Sequence, residues 1–155
     1  NEITDVNDRA KLIYEKEKDT IQAKVKGIQL TIEERRNEIL ADQAGDQKFL
    51  ELVKLKEEAR QELQEIILGE YPEARQVVDI VKETQDKLEN SLGRTPNETE
   101  LRKGVLEALT DQGVASNNNE AKKLFGNYGV MEAMLDLIDK DTNLITDLEN
   151  KLLDK

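Results

Sequence analysis

Apolar residues recur at intervals of three and four along nearly the whole chain, and this spacing constrains the fold more than any other feature. Side chains at this spacing share one face of an α-helix, whereas a half-buried β-strand would alternate them. The sequence therefore predicts an all-α protein, an antiparallel helical bundle of about five to seven helices, with a long N-terminal helix and a heptad-like C-terminal helix.

Composition agrees with a folded but thin structure. Hydrophobic and charged residues each make up 37% of the 155 residues, and Trp is absent, which suits helical layers with much exposed surface. The net charge of −11 repels phosphate backbones, so direct nucleic-acid binding is not expected. Apolar runs never exceed three residues, far short of the roughly 20 that a transmembrane helix needs, so a soluble chain without a transmembrane segment is expected.

The residue types that the chain lacks limit its possible chemistry but do not indicate its cellular compartment. The chain has no Cys and no His, which removes disulfides, thiol catalysis and the commonest general base. The carboxylates fall mostly on polar helix faces, so we expect no enzyme, no catalytic residues and no cofactor. The first residue is Asn1, which indicates a processed or truncated chain, and localisation stays open.

The periodicity divides the chain into three segments, which together are expected to form one domain. Residues 1–44 are predicted to be an N-terminal helical arm that continues through Gly27, residues 45–128 a central helical bundle, and residues 129–155 a coiled-coil-like helix. Within the centre, an apolar stripe from Phe49 to Ile66 and another from Ala74 to Leu92 predict two helices, of which the second begins after Pro72. The short connection between them predicts an antiparallel hairpin over residues 47–92.

Polar and small residues predict further helix ends. Thr95, followed by Pro96, is expected to cap one helix, and Asn118 or Asn119 a short one that ends near Phe125. Residues 125–129, rich in Gly and Asn, are expected to form a turn.

The C-terminal stretch has the most regular apolar spacing, broken once at Asp141. Such a heptad seam is typical of helices that pair, so it is the candidate interaction site. The seam residues are Met131, Met134, Ile138, Ile145, Leu148 and Leu152.

Oxygen-bearing residues at 139, 141 and 143 resemble the first half of an EF-hand calcium loop. Leu144 stands where that loop needs Gly, and Asn150 where it needs a bidentate Glu. We therefore expect no metal-binding residues here, and a calcium-binding helical domain is kept as a further alternative.

Residues 92–101 resemble the L-G-R-x-P-T-x-x-E-L stretch of bacterial sigma factors. The similarity covers ten of 155 residues, with Asn97 at the threonine position, and no helix-turn-helix with basic recognition residues follows. A helix end, a cap and a helix start account for the same residues, so the chain is assigned to no family.

The leading hypothesis is a non-enzymatic structural or adaptor protein that acts through helix-mediated protein–protein interaction. Its partner would be another protein or, by self-assembly into a homo-oligomer, a second copy of the chain. The alternative is an acidic regulator whose carboxylates bind a basic protein or a nucleic-acid enzyme.

Overall fold

The computed structural model describes the backbone of residues 2–153 and the side chains of residues 6–151. This part of the chain forms six α-helices and a short 3₁₀ turn, with no strand, which confirms the all-α helical bundle. The elements are α1 (Glu2–Asp42), α2 (Gly45–Glu70), the turn Pro72–Ala74, α3 (Arg75–Leu92), α4 (Glu98–Asp111), α5 (Asn118–Thr142) and α6 (Leu144–Leu153).

Helix α1 is the longest element and runs unbroken through Gly27, as the periodicity predicts. Its 41 residues extend about 60 Å at the usual rise per residue. It buries a narrow stripe that includes Ile21, Val25 and Ile32. After α1, Gly45 takes a left-handed conformation (φ 60°) that other residues adopt only with strain, and this reverses the chain into α2.

Side-chain pairs fix the directions of the long helices. Lys24 pairs with Glu70 and Arg35 with Glu58, so α1 and α2 are antiparallel. Helix α1 lies parallel to α5, because its start meets Gly129 through Val6 and Tyr14 bonds to Asp141 near the end of α5. Beyond that point α6 packs against α2 and lines a shallow groove together with α1.

Two hydrophobic clusters form the interior, and α5 contributes to both. The first cluster joins α1, α2, α6 and the C-terminal half of α5, with Leu63, Ile67, Met134 and Ile138 among its buried residues. The second cluster joins α3, α4 and the N-terminal half of α5. Its buried residues are Val77, Ile80, Val81, Val105, Leu109, Ala115 and Ala121.

The predicted hairpin of residues 47–92 is not formed. Helix α2 packs along α1, whereas α3 packs on α4 and α5. The physical reason is the direction of the apolar stripe on α3: Val77, Ile80 and Val81 enter the second cluster, and of the buried α3 residues only Val78 belongs to the first cluster, where the stripe of α2 lies. A short connection brings two helices close at one end, but their apolar faces decide whether they pair.

Helix α5 also differs from expectation, because residues 125–129 continue it and form no turn. Gly126 and Gly129 lie within the helix, and a Cβ atom at Gly129 would lie 3.3 Å from a Val6 methyl group of α1. The real break comes at Asn143, which takes a left-handed conformation (φ 58°) and separates α5 from α6. The heptad seam therefore spans two helices.

Two caps lie close to their predicted positions but on different residues. Asn97, not Thr95, caps α4: its side chain accepts from the Glu100 backbone N–H, and the Glu100 carboxylate accepts from the Asn97 N–H. Asn117, not Asn118 or Asn119, caps α5.

The hydrophobic clusters cross the boundaries proposed at residues 44 and 128, and the division into an arm, a centre and a C-terminal helix stays a prediction.

Helices α3 and α4 approach closely at Gly104. A Cβ atom at this position would lie 2.8 Å from the Thr84 methyl group and 3.3 Å from a Leu88 methyl group. Thr84 is buried and β-branched, so its χ1 rotamer is stiff. The absence of a side chain at residue 104 is what lets the two helices reach this distance.

Candidate interaction surface

The heptad seam lies inside the protein. Met131, Met134, Ile138, Ile145 and Leu148 are all at most 6% exposed and belong to the first cluster, while the side chain of Leu152 lies outside the described residues. Apolar spacing alone does not distinguish a seam between chains from one within a chain. Burial within this chain makes these five residues part of its core, so an accessible interaction surface has to lie elsewhere.

The residues that resemble half of an EF-hand have structural partners. The Asp139 carboxylate accepts hydrogen bonds from the backbone N–H groups of Ile145 and Thr146 and from the Thr146 hydroxyl, and thereby caps α6. Asp141 accepts from the Tyr14 hydroxyl at 2.8 Å and lies 3.9 Å from the Lys18 ammonium. Across the described residues, no group of three or more acidic side chains converges in a way that would hold a metal ion.

Two surface carboxyl groups have lowered pKa values, and each is held by an arginine. Arg75 donates two hydrogen bonds to Glu65, which lowers the pKa of that carboxyl. Arg94 does the same to Glu100, and with the backbone N–H of Asn97 it lowers the Glu100 pKa to about 2. Both carboxylates join neighbouring structural elements.

All three tyrosines have raised pKa values, chiefly because burial disfavours the phenolate. Burial and the hydrogen bond to Asp141 raise the pKa of Tyr14 to about 12. Tyr71 accepts from Arg9 and donates to Asn127, while Tyr128 lies beside Glu132. The hydroxyls of Tyr14 and Tyr71 thus join elements that are distant in sequence, which is a packing role.

Alkaline titration should show this tyrosine burial. We expect tyrosinate absorbance of the folded protein to rise only well above pH 10, the ordinary tyrosine pKa. The raised pKa means that the stabilisation is complete below pH 10 and is lost as the pH rises through about 12 for Tyr14. Urea denaturation across this range should show falling stability, and Tyr14→Phe should reduce the fall. Titration of all three tyrosines near pH 10 in a folded sample would contradict their burial.

An exposed apolar patch lies near the turn that joins α1 and α2. We call Phe49, Leu50 and Val53 the tip patch. Their side chains are 47%, 53% and 41% exposed, respectively. They share one face of α2, since Val53 lies four residues after Phe49 and three after Leu50. Leu52, Leu55 and Ala59 lie on the opposite face and are buried.

The other large exposed apolar side chains are scattered. Leu12 and Leu30 lie on α1, 18 residues apart, and Leu92 lies at the end of α3. Leu30 borders a shallow groove between α1 and α6 that Arg36 and Asp147 also line. Single exposed apolar residues are ordinary on protein surfaces, whereas neighbouring ones mark contact sites. The tip patch is thus the largest such group among the side chains described.

The charges around the tip patch are mostly acidic. Over residues 33–58 there are eight acidic and five basic side chains, a net charge of −3. Four of the five basic residues form ion pairs within the chain, as Arg35–Glu58, Arg36–Glu33, Lys54–Glu51 and Lys56–Glu149. Asp46 and Glu57 form no ion pair with the described residues and lie on the same face of α2 as the tip patch, one at each end.

Sequence reasoning missed this surface. Phe49 continues the stripe of Leu52 and Leu55 at plausible spacing, and it was expected in the core. It is 47% exposed, so the helices that neighbour α2 cover it only in part. The available indication was that Leu50 and Val53 fall off the buried stripe yet are apolar.

Comparison with protein-family models, with curated proteins and with solved structures finds no match to this chain. None of the helices in the described part is both long and apolar enough to cross a membrane.

Proposed function

We infer that this chain is a non-enzymatic structural or adaptor protein that binds a protein partner through its helical surface. The observation that carries the proposal is the tip patch, three large apolar side chains that are neighbours on one helix and about half exposed. Burial of such a patch is favourable in proportion to the apolar area removed from water. The site is the exposed face at the start of α2.

The environment of the patch suits reversible contact. A helix that presents apolar residues at i, i+1 and i+4 can dock against another helix by side-chain packing. Charged residues surround the patch, as in the polar rim of typical interfaces. The alternative function, an acidic regulator that binds a basic protein or a nucleic-acid enzyme, would depend on the charged residues around the patch more than on the patch itself.

Photo-crosslinking tests this proposal. A photoreactive phenylalanine analogue at residue 49 should form specific adducts with a protein partner in extracts of the source cells. We expect Leu50→Asp with Val53→Asp to abolish those adducts while the circular dichroism spectrum stays helical. The matched control, Leu12→Asp with Leu92→Asp, adds the same charge at exposed leucines elsewhere and should retain them.

The opposite outcome is equally clear. If the adducts at residue 49 persist unchanged in the Leu50→Asp, Val53→Asp variant, the tip patch is not the contact site and the proposal fails. An adduct with a second copy of this chain that depends on the patch would support interaction through it, in its self-assembling form.

A further inference from the structure

The charges that flank the tip patch restrict what can cover it. This step rests on the proposed function, since it assumes that the patch binds a partner. Asp46 lies about one turn before Phe49 and Leu50, and Glu57 lies one turn after Val53, so the apolar face has a carboxylate at both ends. Of the five lysines and arginines in residues 33–58, four pair with Glu33, Glu51, Glu58 and Glu149, and Lys48 forms no ion pair with the described residues.

A second copy of the chain fits these charges poorly. Two α2 helices that pack antiparallel through Leu50 and Val53 place Asp46 of one copy opposite Glu57 of the other. Two that pack parallel place each acidic residue opposite its own copy. Both arrangements bring like charges together at the ends of the interface, and each chain carries a net charge of −11.

A basic partner fits the carboxylates that flank the tip patch well. We propose that the tip patch binds an amphipathic helix of another protein whose apolar side chains cover Phe49, Leu50 and Val53 and whose lysines or arginines lie opposite Asp46 and Glu57. The apolar contacts supply most of the affinity, and the charge pairs set orientation and reject acidic partners. The partner helix carries apolar residues at spacings of three and four with basic residues on both sides of that stripe.

The test uses synthetic helices and the full chain. One peptide of about 18 residues carries leucines at helical spacing flanked by lysines, and a second carries glutamates in place of the lysines. We expect saturable binding of the lysine peptide, measured by fluorescence anisotropy, that weakens as salt is added. The glutamate peptide should bind at least about tenfold more weakly, because its charges repel Asp46 and Glu57.

Matched variants separate this site from general attraction to an acidic protein. Asp46→Lys with Glu57→Lys should weaken binding of the lysine peptide by about tenfold, the effect of reversing two exposed charges that each interact modestly. The control, Glu98→Lys with Glu107→Lys, changes the net charge equally on exposed positions of α4 and should leave affinity within about twofold. Circular dichroism confirms that both variants are folded.

Three outcomes would overturn the inference. Equal weakening by both double variants means that the peptide senses only net charge. Equal affinity for the two peptides means that Asp46 and Glu57 do not discriminate between basic and acidic partners. A dimer by light scattering that Leu50→Asp converts to a monomer means that a second copy covers the patch, and that result would still support the proposed function. If the adducts at residue 49 are unchanged in the Leu50→Asp, Val53→Asp variant, the proposed function itself is wrong.

Discussion

Replacement of Ile138 by alanine is expected to lower the free energy of unfolding by about 2–5 kcal/mol, the usual cost of leaving a cavity in a packed core. Ile138 is fully buried in the first cluster, near the C-terminal end of α5. Urea denaturation followed by circular dichroism measures the change. Light scattering at the same protein concentrations records the oligomeric state.

The control is Leu50→Ala, which removes a similar apolar side chain from a position that is 53% exposed and should change stability by no more than about 0.5 kcal/mol. The pair of variants separates the two interpretations of the heptad seam. If Ile138→Ala instead produced a stable monomer from an oligomer, with the unfolding of the monomer unchanged, the seam would join chains.

The second large effect is expected at Gly104. Alanine normally stabilises a helix interior by about 0.5–1 kcal/mol relative to glycine. Here the new Cβ would lie 2.8 Å from the Thr84 methyl group, and that methyl belongs to a stiff, buried side chain. We expect Gly104→Ala to lower the free energy of unfolding by about 1–3 kcal/mol, as overpacking does in other cores.

Gly27→Ala is the matched control. Gly27 also lies inside a helix, and a Cβ there would meet no atom within 4 Å, so this variant should gain about 0.5–1 kcal/mol. Thr84→Ser, which removes the contacting methyl group, should restore much of the stability lost in Gly104→Ala, and a double-mutant cycle measures this coupling. Stabilisation by both alanines, or additive effects of residues 84 and 104, would contradict the close approach of α3 and α4.

The helices could be predicted from the sequence because the spacing of apolar residues depends on the backbone of one helix alone. The unbroken course of α1 and the left-handed Gly45 follow from such local patterns. The pairing of helices does not. The apolar stripe on α3 shows that one face is buried, but only the assembled structure shows that α4 and α5 cover it.

Residues near helix ends explain the other differences. Asn143 breaks the C-terminal seam because its side chain tolerates the left-handed conformation, and Asp139 then caps the next helix. The same residues read equally well as one continuous helix. The tip patch was not predicted for a related reason. Phe49 has the spacing of a buried residue, but its exposure depends on where the neighbouring helices end.

Helix α5 has a consequence for how the protein opens. Its N-terminal half belongs to the second hydrophobic cluster and its C-terminal half to the first, and Tyr128 packs against both. Local fluctuations that detach α3 and α4, or that detach α6, leave one half of α5 still held. The backbone amide hydrogens in the middle of this helix therefore exchange with solvent only when both hydrophobic clusters have opened. The two clusters then unfold in one cooperative transition.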